Sequence, residues 1–161
     1  MVCPVVESAV RLASISQPMA GAQPPLVVTE SGCVLLSYDV DDDYCVVVEF
    51  WDVRELRNAC FSTVDHAMLA LHPRGLVADG AFEIGGSIWL RAHEAAIREQ
   101  ALGEYLGLAR MRHFAVATTT SLFECLAEKV ELIATLPNDA ANGMALLRRI
   151  ARQLGWELPD V

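Results

Sequence analysis

The sequence predicts an α+β protein: a mainly antiparallel β-sheet with about two or three helices packed on one face. Apolar segments that are joined by short turns, as in hairpins, outnumber strand–helix–strand units. Two further segments, 88–102 and 137–155, have apolar residues at helical spacing. With 161 residues the chain has the length of one domain, and such a domain can bury a core without a metal or a disulfide.

The first 25 residues contain four prolines, and we expect residues 1–25 to be a loosely attached leader to a single domain at 26–161. Residues 26–30 predict a short strand. A turn at Glu30-Ser31-Gly32 follows, and a second strand begins at Cys33.

The hairpin at residues 33–51 reads CVLLSYDVDDDYCVVVEFW, and burial determines its register. A three-residue loop, Asp41–Asp43, sets four apolar pairs opposite each other: Val34–Phe50, Leu36–Val48, Tyr38–Val46 and Val40–Tyr44. A two-residue loop would set Val34 opposite Glu49. Because a slip of one residue turns every side chain to the other face, burial favours the three-residue loop. The last loop residue, Asp43, is then expected to be left-handed, a conformation that aspartate tolerates.

The opposite face of this hairpin is too apolar for open water, so we expect another element to cover part of it. It carries Cys33, Leu35, Ser37, Cys45, Val47, Glu49 and Trp51.

The middle of the chain is less regular. Within residues 54–78, the segment 62–71 has the pattern of a helix, and residues 80–84 predict a short strand. Ser87 is the expected N-cap of the helix at 88–102. Its inward-facing residues are expected to be Ile88, Trp89, Ala92, Ala96 and Leu102.

Residues 112–136 alternate like two strands around a turn at Thr118–Ser121, which places Phe114, Val116, Phe123 and Cys125 on one face. The last helix is predicted within 137–155. It has Leu147, Ile150, Ala151 and Leu154 on one stripe, and Gly155 ends it.

The composition excludes several classes of function. A net charge of −9 argues against a nucleic-acid partner, because phosphates require compensating lysines and arginines. No apolar run has the length of a membrane span, and the N-terminus does not resemble a signal peptide. The five cysteines form no C-x-x-C pair, which suits reduced thiols in a cytoplasmic protein. The hydrophobic content of 53% is high for a monomer and suggests an interface.

The aspartate tract has three interpretations: a metal site, a solvated tip, or a docking surface. Asp39, Asp41 and Asp43 match the start of a calcium loop, but Tyr44 and Phe50 stand where that loop needs glycine and a bidentate glutamate. We therefore predict no metal. A docking surface for a basic protein would use Asp39, Asp41, Asp42 and Asp43, with Trp51 as a nearby anchor.

Other motifs indicate neither a cofactor nor a catalytic residue. GAFEIGGS at 80–87 lacks the lysine of a phosphate-binding loop, since Gly86 stands in its place, although free amides at a helix start attract anions. HEAAI at 93–97 has Ile97 where a zinc motif needs its second histidine. Cys125 is expected to lie in the core, where a thiol is inert.

One stretch resembles a group of small, functionally uncharacterised bacterial proteins. The shared blocks are Gly75-Leu76, Gly80-x-Phe82-Glu83, Ser87-x-Trp89, Arg112-His113-Phe114 and Phe123-Glu124-Cys125-x-Ala127, which together span about residues 75–131. The group has an F-H-D type sequence between the last two blocks, where this chain has Ala117-Thr118-Thr119-Thr120. If that histidine and aspartate have a role in the group, this chain has lost or altered it.

The resemblance implies a shared fold, but the group has no known activity that could be transferred to this chain. It suggests that Trp89, Arg112, His113 and Glu124 form one polar and aromatic neighbourhood, either as buried pairs that serve the fold or as the lining of a pocket.

Three hypotheses about function follow. The first is a cytoplasmic, non-catalytic domain that docks a basic protein through the acidic hairpin, similar in size and charge to the immunity proteins that neutralise toxins. The alternative is a small-molecule-binding protein or enzyme with a pocket near Trp89, Arg112, His113 and Glu124. The third is a homodimer that pairs through Leu35, Val47 and Trp51.

Overall fold

The computed structural model describes residues 6–60, 75–77, 79–100, 110–139 and 141–159. Within these ranges it has nine strands and two helices. The strands are β1 (Ser8–Arg11), β2 (Leu26–Glu30), β3 (Cys33–Asp39), β4 (Tyr44–Trp51), β5 (Glu55–Cys60), β6 (Gly80–Gly85), β7 (Arg112–Ala117), β8 (Ser121–Ala127) and β9 (Lys129–Pro137). The helices are α1 (Ile88–Gln100) and α2 (Gly143–Gln153).

The strands form two sheets that pack face to face. The five-stranded sheet has the order β1-β6-β7-β8-β5, and the four-stranded sheet has the order β2-β3-β4-β9. Every pair of neighbouring strands among the described residues is antiparallel. The predicted class, α+β with mainly antiparallel sheet, is confirmed.

The main core lies between the two sheets. Phe50 of the four-stranded sheet contacts Phe114 and Phe123 of the five-stranded sheet, with ring centroids 5.7 and 5.4 Å apart. Phe114, Val116, Phe123 and Cys125 share this inner face, as their alternation predicted. The turn at Thr118–Ser121 is confirmed as well, since the backbone amide of Thr118 donates to the carbonyl of Ser121.

The outer face of the four-stranded sheet is covered by α2. Leu147, Ile150 and Ala151 of that helix pack against Leu35 and Val47. The expected cover is therefore confirmed, and it comes from this chain. The homodimer interface expected at Leu35, Val47 and Trp51 is wrong for the first two residues, because both are fully buried under α2.

The two helices contact different sheets. Trp89 of α1 contacts His113 on the outer face of the five-stranded sheet, whereas α2 contacts β2 and β3 of the four-stranded sheet. The expectation that the helices share one face is not met. Each sheet has an apolar cluster on its outer face as well as apolar residues on its inner one.

The hairpin of β3 and β4 has the predicted register. Val34 lies opposite Phe50, Leu36 opposite Val48, and Tyr38 opposite Val46. The conformation expected of Asp43 is wrong, because it is not among the described residues with positive φ. Instead, Oδ1 of Asp41 accepts hydrogen bonds from the amides of Asp43 and Tyr44, at 2.9 and 2.7 Å, and closes the loop.

Part of the N-terminal segment, residues 8–16, contacts both sheets. Residues 8–11 form an edge strand against β6, and Leu12 and Ile15 are buried in the core between the sheets. The hydroxyl of Tyr38 also donates to the carbonyl of Ser16 at 2.7 Å.

The predicted pair of strands at 112–136 is in fact three strands. The chain leaves the five-stranded sheet at Ala127 and joins the four-stranded sheet at Lys129. An earlier crossing runs beside this one: it leads from Trp51 in the four-stranded sheet to Glu55 in the five-stranded sheet. The amide of Glu128 donates to the carbonyl of Trp51, and that of Arg54 donates to the carbonyl of Leu126, at 2.8 and 2.9 Å. We call these paired crossings the corner.

Two of the three predicted helices lie within the described residues. In α1 the residues that are partly buried are Trp89, Leu90, His93, Glu94 and Ile97, so the expected inward positions at Ile88, Ala92 and Ala96 are wrong. The helix predicted at 62–71 lies outside the described residues. In α2, Gly155 has φ of 88° and ends the helix as expected, although Leu154 is exposed.

Candidate functional site

The hairpin loop presents two aspartates to solvent. The carboxylate of Asp41 closes the loop by accepting hydrogen bonds from the amides of Asp43 and Tyr44. The carboxylates of Asp42 and Asp43 form no hydrogen bond and no ion pair with any described residue, and both side chains are exposed. Tyr44, which follows them, is 48% exposed. The loop is therefore held in shape by one carboxylate while the next two are free.

A fifth aspartate joins this surface from a distant part of the chain. The amide of Asn138 donates to the carbonyl of Asp43 at 2.7 Å, so the connection between β9 and α2 lies beside the loop. Asp139 follows and is exposed. We call the resulting surface the acidic end; its residues are Asp39, Asp41, Asp42, Asp43 and Asp139.

Trp51 does not belong to the acidic end. It lies at the opposite end of β4, seven positions from Tyr44, which corresponds to roughly 24 Å along a strand. Its ring contacts the ammonium of Lys129, with 4.5 Å from Nζ to the ring centroid. The structure therefore separates this expected anchor from the aspartates.

A cavity of about 130 Å³ opens next to the acidic end, between the outer face of the four-stranded sheet and the start of α2. Its apolar walls include Leu26, Val47, Leu136 and Leu147. Asp39 and Asp139 also line it. Burial raises the pKa of the Asp39 carboxyl above its ordinary value, and a hydrogen bond from Asn138 opposes that rise.

A second cluster lies on the outer face of the five-stranded sheet. Oγ of Ser87 is 2.8 Å from Nδ1 of His113, and Nε2 of His113 is 3.0 Å from Oε1 of Glu124. Ser87 and His113 are only 3% and 4% exposed. Since the amide of Leu90 donates to Oγ of Ser87, that hydroxyl is able to donate to His113, which in turn donates to Glu124. We call these three residues the Ser87 relay.

A carboxylate of this chain, that of Glu7, occupies the start of α1. Ser87 caps the helix as predicted, through the amide of Leu90 at 3.0 Å. Oε1 of Glu7 accepts from the amide of Ile88 at 2.6 Å. A carboxylate at this position suits the positive end of the helix dipole, so two of the first amides are not free for an external phosphate.

A second set of polar groups lies around Trp89, whose ring contacts His113 of the relay. The indole of Trp89 donates to Oε2 of Glu55 at 2.7 Å, and Nδ1 of His93 lies 2.6 Å from Oε1 of the same carboxylate. The guanidinium of Arg57 stacks over the indole at 3.8 Å. Burial raises the pKa of the Glu55 carboxyl, but the hydrogen bonds from His93 and Trp89 outweigh it and hold that pKa below its ordinary value.

Arg112 does not join this neighbourhood. Strand residues alternate between faces, so Arg112 points away from His113 and forms an ion pair with Glu83, with 2.9 Å between Nε and Oε1. The structure thus brings together Trp89, His113 and Glu124 of the four residues that were expected to meet. A depression of about 400 Å³ is lined by Ser87, His113 and Arg112, whereas Trp89 and Glu124 do not line it.

No protein-family model, curated protein or solved structure matches this chain. The resemblance at residues 75–131 therefore stays a prediction. Within the described residues, no three histidine, cysteine, aspartate or glutamate side chains form a group that could hold a metal ion. Nor does any described helix combine the length and the apolar composition needed to cross a membrane.

Sequence reasoning missed several contributors to these two sites, and Asp139, Glu55 and Arg57 are among them. Asp139 reaches the acidic end only because β9 pairs with β4, and that pairing follows a sheet crossing. Glu55 and Arg57 reach Trp89 only because β5 pairs with β8. These contacts depend on the order of the strands in each sheet, which local sequence patterns do not determine.

Proposed function

We propose that this protein is a non-catalytic binding domain whose acidic end docks a basic protein. The observation that carries the proposal is the state of the loop: Asp41 closes it, and Asp42 and Asp43 stand exposed without a partner in the described part of the chain. Adjacent like charges repel and contribute nothing to the fold. A surface that recognises cations accounts for them.

The net charge of the chain and an exposed aromatic ring both support the proposal. The net charge of −9 attracts a basic partner over a distance, and a cluster of carboxylates raises the rate of encounter. The exposed ring of Tyr44 lies next to the aspartates and supplies the kind of aromatic contact on which many interfaces depend. The proposal places the protein in the cytoplasm, in line with the free thiols of Cys33, Cys45 and Cys125.

The test is co-purification of partners from the source cell at low and at high salt. The variant is Asp42→Asn together with Asp43→Asn, which leaves the loop-closing Asp41 in place. Its control is Glu99→Gln with Glu157→Gln, two exposed acids outside the acidic end, so that both variants change the net charge equally.

A stoichiometric basic protein that binds the parent chain and the control, but is lost with salt and with the loop variant, is the expected result. Equal binding by the parent chain and the loop variant would refute the docking role of the loop.

The Ser87 relay supports a second candidate, a small-molecule site with hydrolytic chemistry. A hydroxyl, an imidazole and a carboxylate are hydrogen-bonded in sequence, and the first two line a depression of about 400 Å³. In that case the Ser87 oxygen attacks the phosphorus of a fluorophosphonate, its proton passes to His113, and fluoride leaves. The expected product is a chain labelled once at Ser87 and unlabelled in Ser87→Ala. Absence of labelling in the parent chain would leave the relay with a structural role only.

A further inference from the structure

We infer that the cavity beside the acidic end receives a single lysine side chain of the basic partner. This inference rests on the proposed docking function and specifies which chemical group of the partner is recognised. It is carried by the size of the cavity, by its apolar walls, and by the two carboxylates that line it.

The size of the cavity limits its occupant. Its volume is about 130 Å³. Sites for cofactors and drug-sized ligands occupy roughly 300–1,000 Å³, whereas a cavity of about 150 Å³ in another protein accepts one benzene molecule. One side chain fits this space, and a nucleotide does not.

The walls favour an occupant with an apolar stem. Leu26, Val47, Leu136 and Leu147 come from two neighbouring layers, the sheet and α2, and form the apolar part of the lining. A lysine has a chain of four methylene groups that is able to contact such walls while its ammonium reaches a polar group. A small inorganic cation would leave these walls without contacts.

The charge of the lining favours a cation. Asp39 and Asp139 are the two ionisable acids among the lining residues, and no described lining residue is lysine, arginine or histidine. The first turn of α2 also reaches the cavity at Gly143, and its dipole contributes about half a positive charge. Two full negative charges outweigh that half charge. The raised pKa of Asp39 agrees with a carboxylate that lacks a cation nearby.

The geometry of the carboxylates favours lysine over arginine. Asp39 already accepts a hydrogen bond from Asn138. Both oxygens of Asp139 accept one from Asn142, Oδ1 from its amide at 3.3 Å and Oδ2 from its Nδ2 at 3.0 Å. Neither carboxylate therefore presents both oxygens to the planar fork of a guanidinium. A compact ammonium needs only one oxygen from each.

The first experiment uses n-butylammonium, which has the stem and the charge of a lysine side chain, with 1-butanol as the uncharged control. Binding is followed by the methyl NMR signals of Val47 and Leu147 in the full chain. We expect n-butylammonium to shift these signals in a saturable manner and 1-butanol to bind about tenfold more weakly or worse, because it lacks the charge-assisted hydrogen bond. Equal effects of the two probes would overturn the inference.

Two variants locate the binding. Asp39→Asn removes a charge, and Cys45→Met fills space in the lining while keeping both carboxylates. Each should weaken n-butylammonium binding by about tenfold, provided that its thermal unfolding is still cooperative. Unchanged binding in both variants would place the probe elsewhere and overturn the inference.

The same variants separate this inference from the docking function. If Asp42→Asn with Asp43→Asn abolishes partner binding while Cys45→Met leaves it intact, docking holds and the lysine cavity is wrong. If n-butylammonium binds as expected but no basic partner is captured, the cavity recognises an alkylammonium and the docking function is wrong.

Discussion

The hydroxyl of Ser87 lies 2.8 Å from Nδ1 of His113 and connects the first turn of α1 to the outer face of the five-stranded sheet. The same oxygen caps the helix through the amide of Leu90. One small side chain thus fixes both the start of the helix and its position on the sheet.

We predict that Ser87→Ala lowers the free energy of unfolding by about 1–3 kcal/mol, because it removes a cap and leaves a buried imidazole nitrogen without its partner. The exposed Ser14→Ala is the matched control and should change little. Urea unfolding followed by circular dichroism measures the difference. Equal stability of the two variants would show that the Ser87 contact does not contribute.

Asp41 and Asp42 of the hairpin loop should contribute differently to the free energy of unfolding. Asp41→Ala removes the acceptor of two backbone amides, so we expect a loss of about 1–2 kcal/mol in unfolding free energy. Asp42→Ala, one position away, removes an exposed charge that has no partner in the described structure, and should leave stability unchanged or slightly raised. Thermal unfolding of both variants at one ionic strength provides the comparison.

Asp52, at the corner, has φ of 53°, a left-handed conformation in which a Cβ is strained. Asp52→Gly should therefore be more stable than Asp52→Ala by about 1 kcal/mol. Both substitutions remove the exposed ion pair with Arg54, so that its small contribution cancels in the comparison. Chemical unfolding of the two variants side by side tests this, and a more stable alanine variant would contradict it.

The ion pair of Glu83 with Arg112 should make stability depend on pH. The hydrogen bond from Arg112 lowers the pKa of the Glu83 carboxyl below its ordinary value of 4.5. A lowered pKa stabilises the fold above the unfolded-state value, and the benefit is lost as pH falls through the folded-state value. Glu83→Gln should therefore reduce the melting temperature at pH 7, and the difference from the parent chain should shrink below pH 4.5. A difference that does not vary with pH would contradict this assignment.

Substitution of Asp39 should change the melting temperature in the opposite direction. Burial raises the pKa of its carboxyl above the ordinary value of 3.8, so the ionised form destabilises the fold at neutral pH. Asp39→Asn should raise the melting temperature at pH 7, and this gain should vanish as pH falls below 3.8, where the parent side chain is neutral too. Thermal scans from pH 7 to pH 3 measure the trend. A lower melting temperature at pH 7 would show that the carboxylate stabilises the fold.

The sequence predicted the hairpin at 33–51 down to its register, because alternation of side chains couples pairing to burial there. The sequence pattern did not predict the change of sheets at Glu128, because the apolar pattern continues through that point. It also identified Ser87 as a cap but not as the partner of His113, since that contact joins positions 26 residues apart. Local periodicity predicts strands and their faces, while the meeting of distant strands depends on packing.

The corner affects the binding that we propose for the acidic end. Two backbone hydrogen bonds join the crossing Trp51–Glu55 to Leu126 and Glu128, so β4 is held at the end opposite the aspartate loop. Along its length β4 is paired with β3 on one side and β9 on the other. The hairpin therefore extends from a fixed base, and its charged tip is preorganised. A partner that binds it has little conformational freedom to remove, and this lowers the entropic cost of forming the complex.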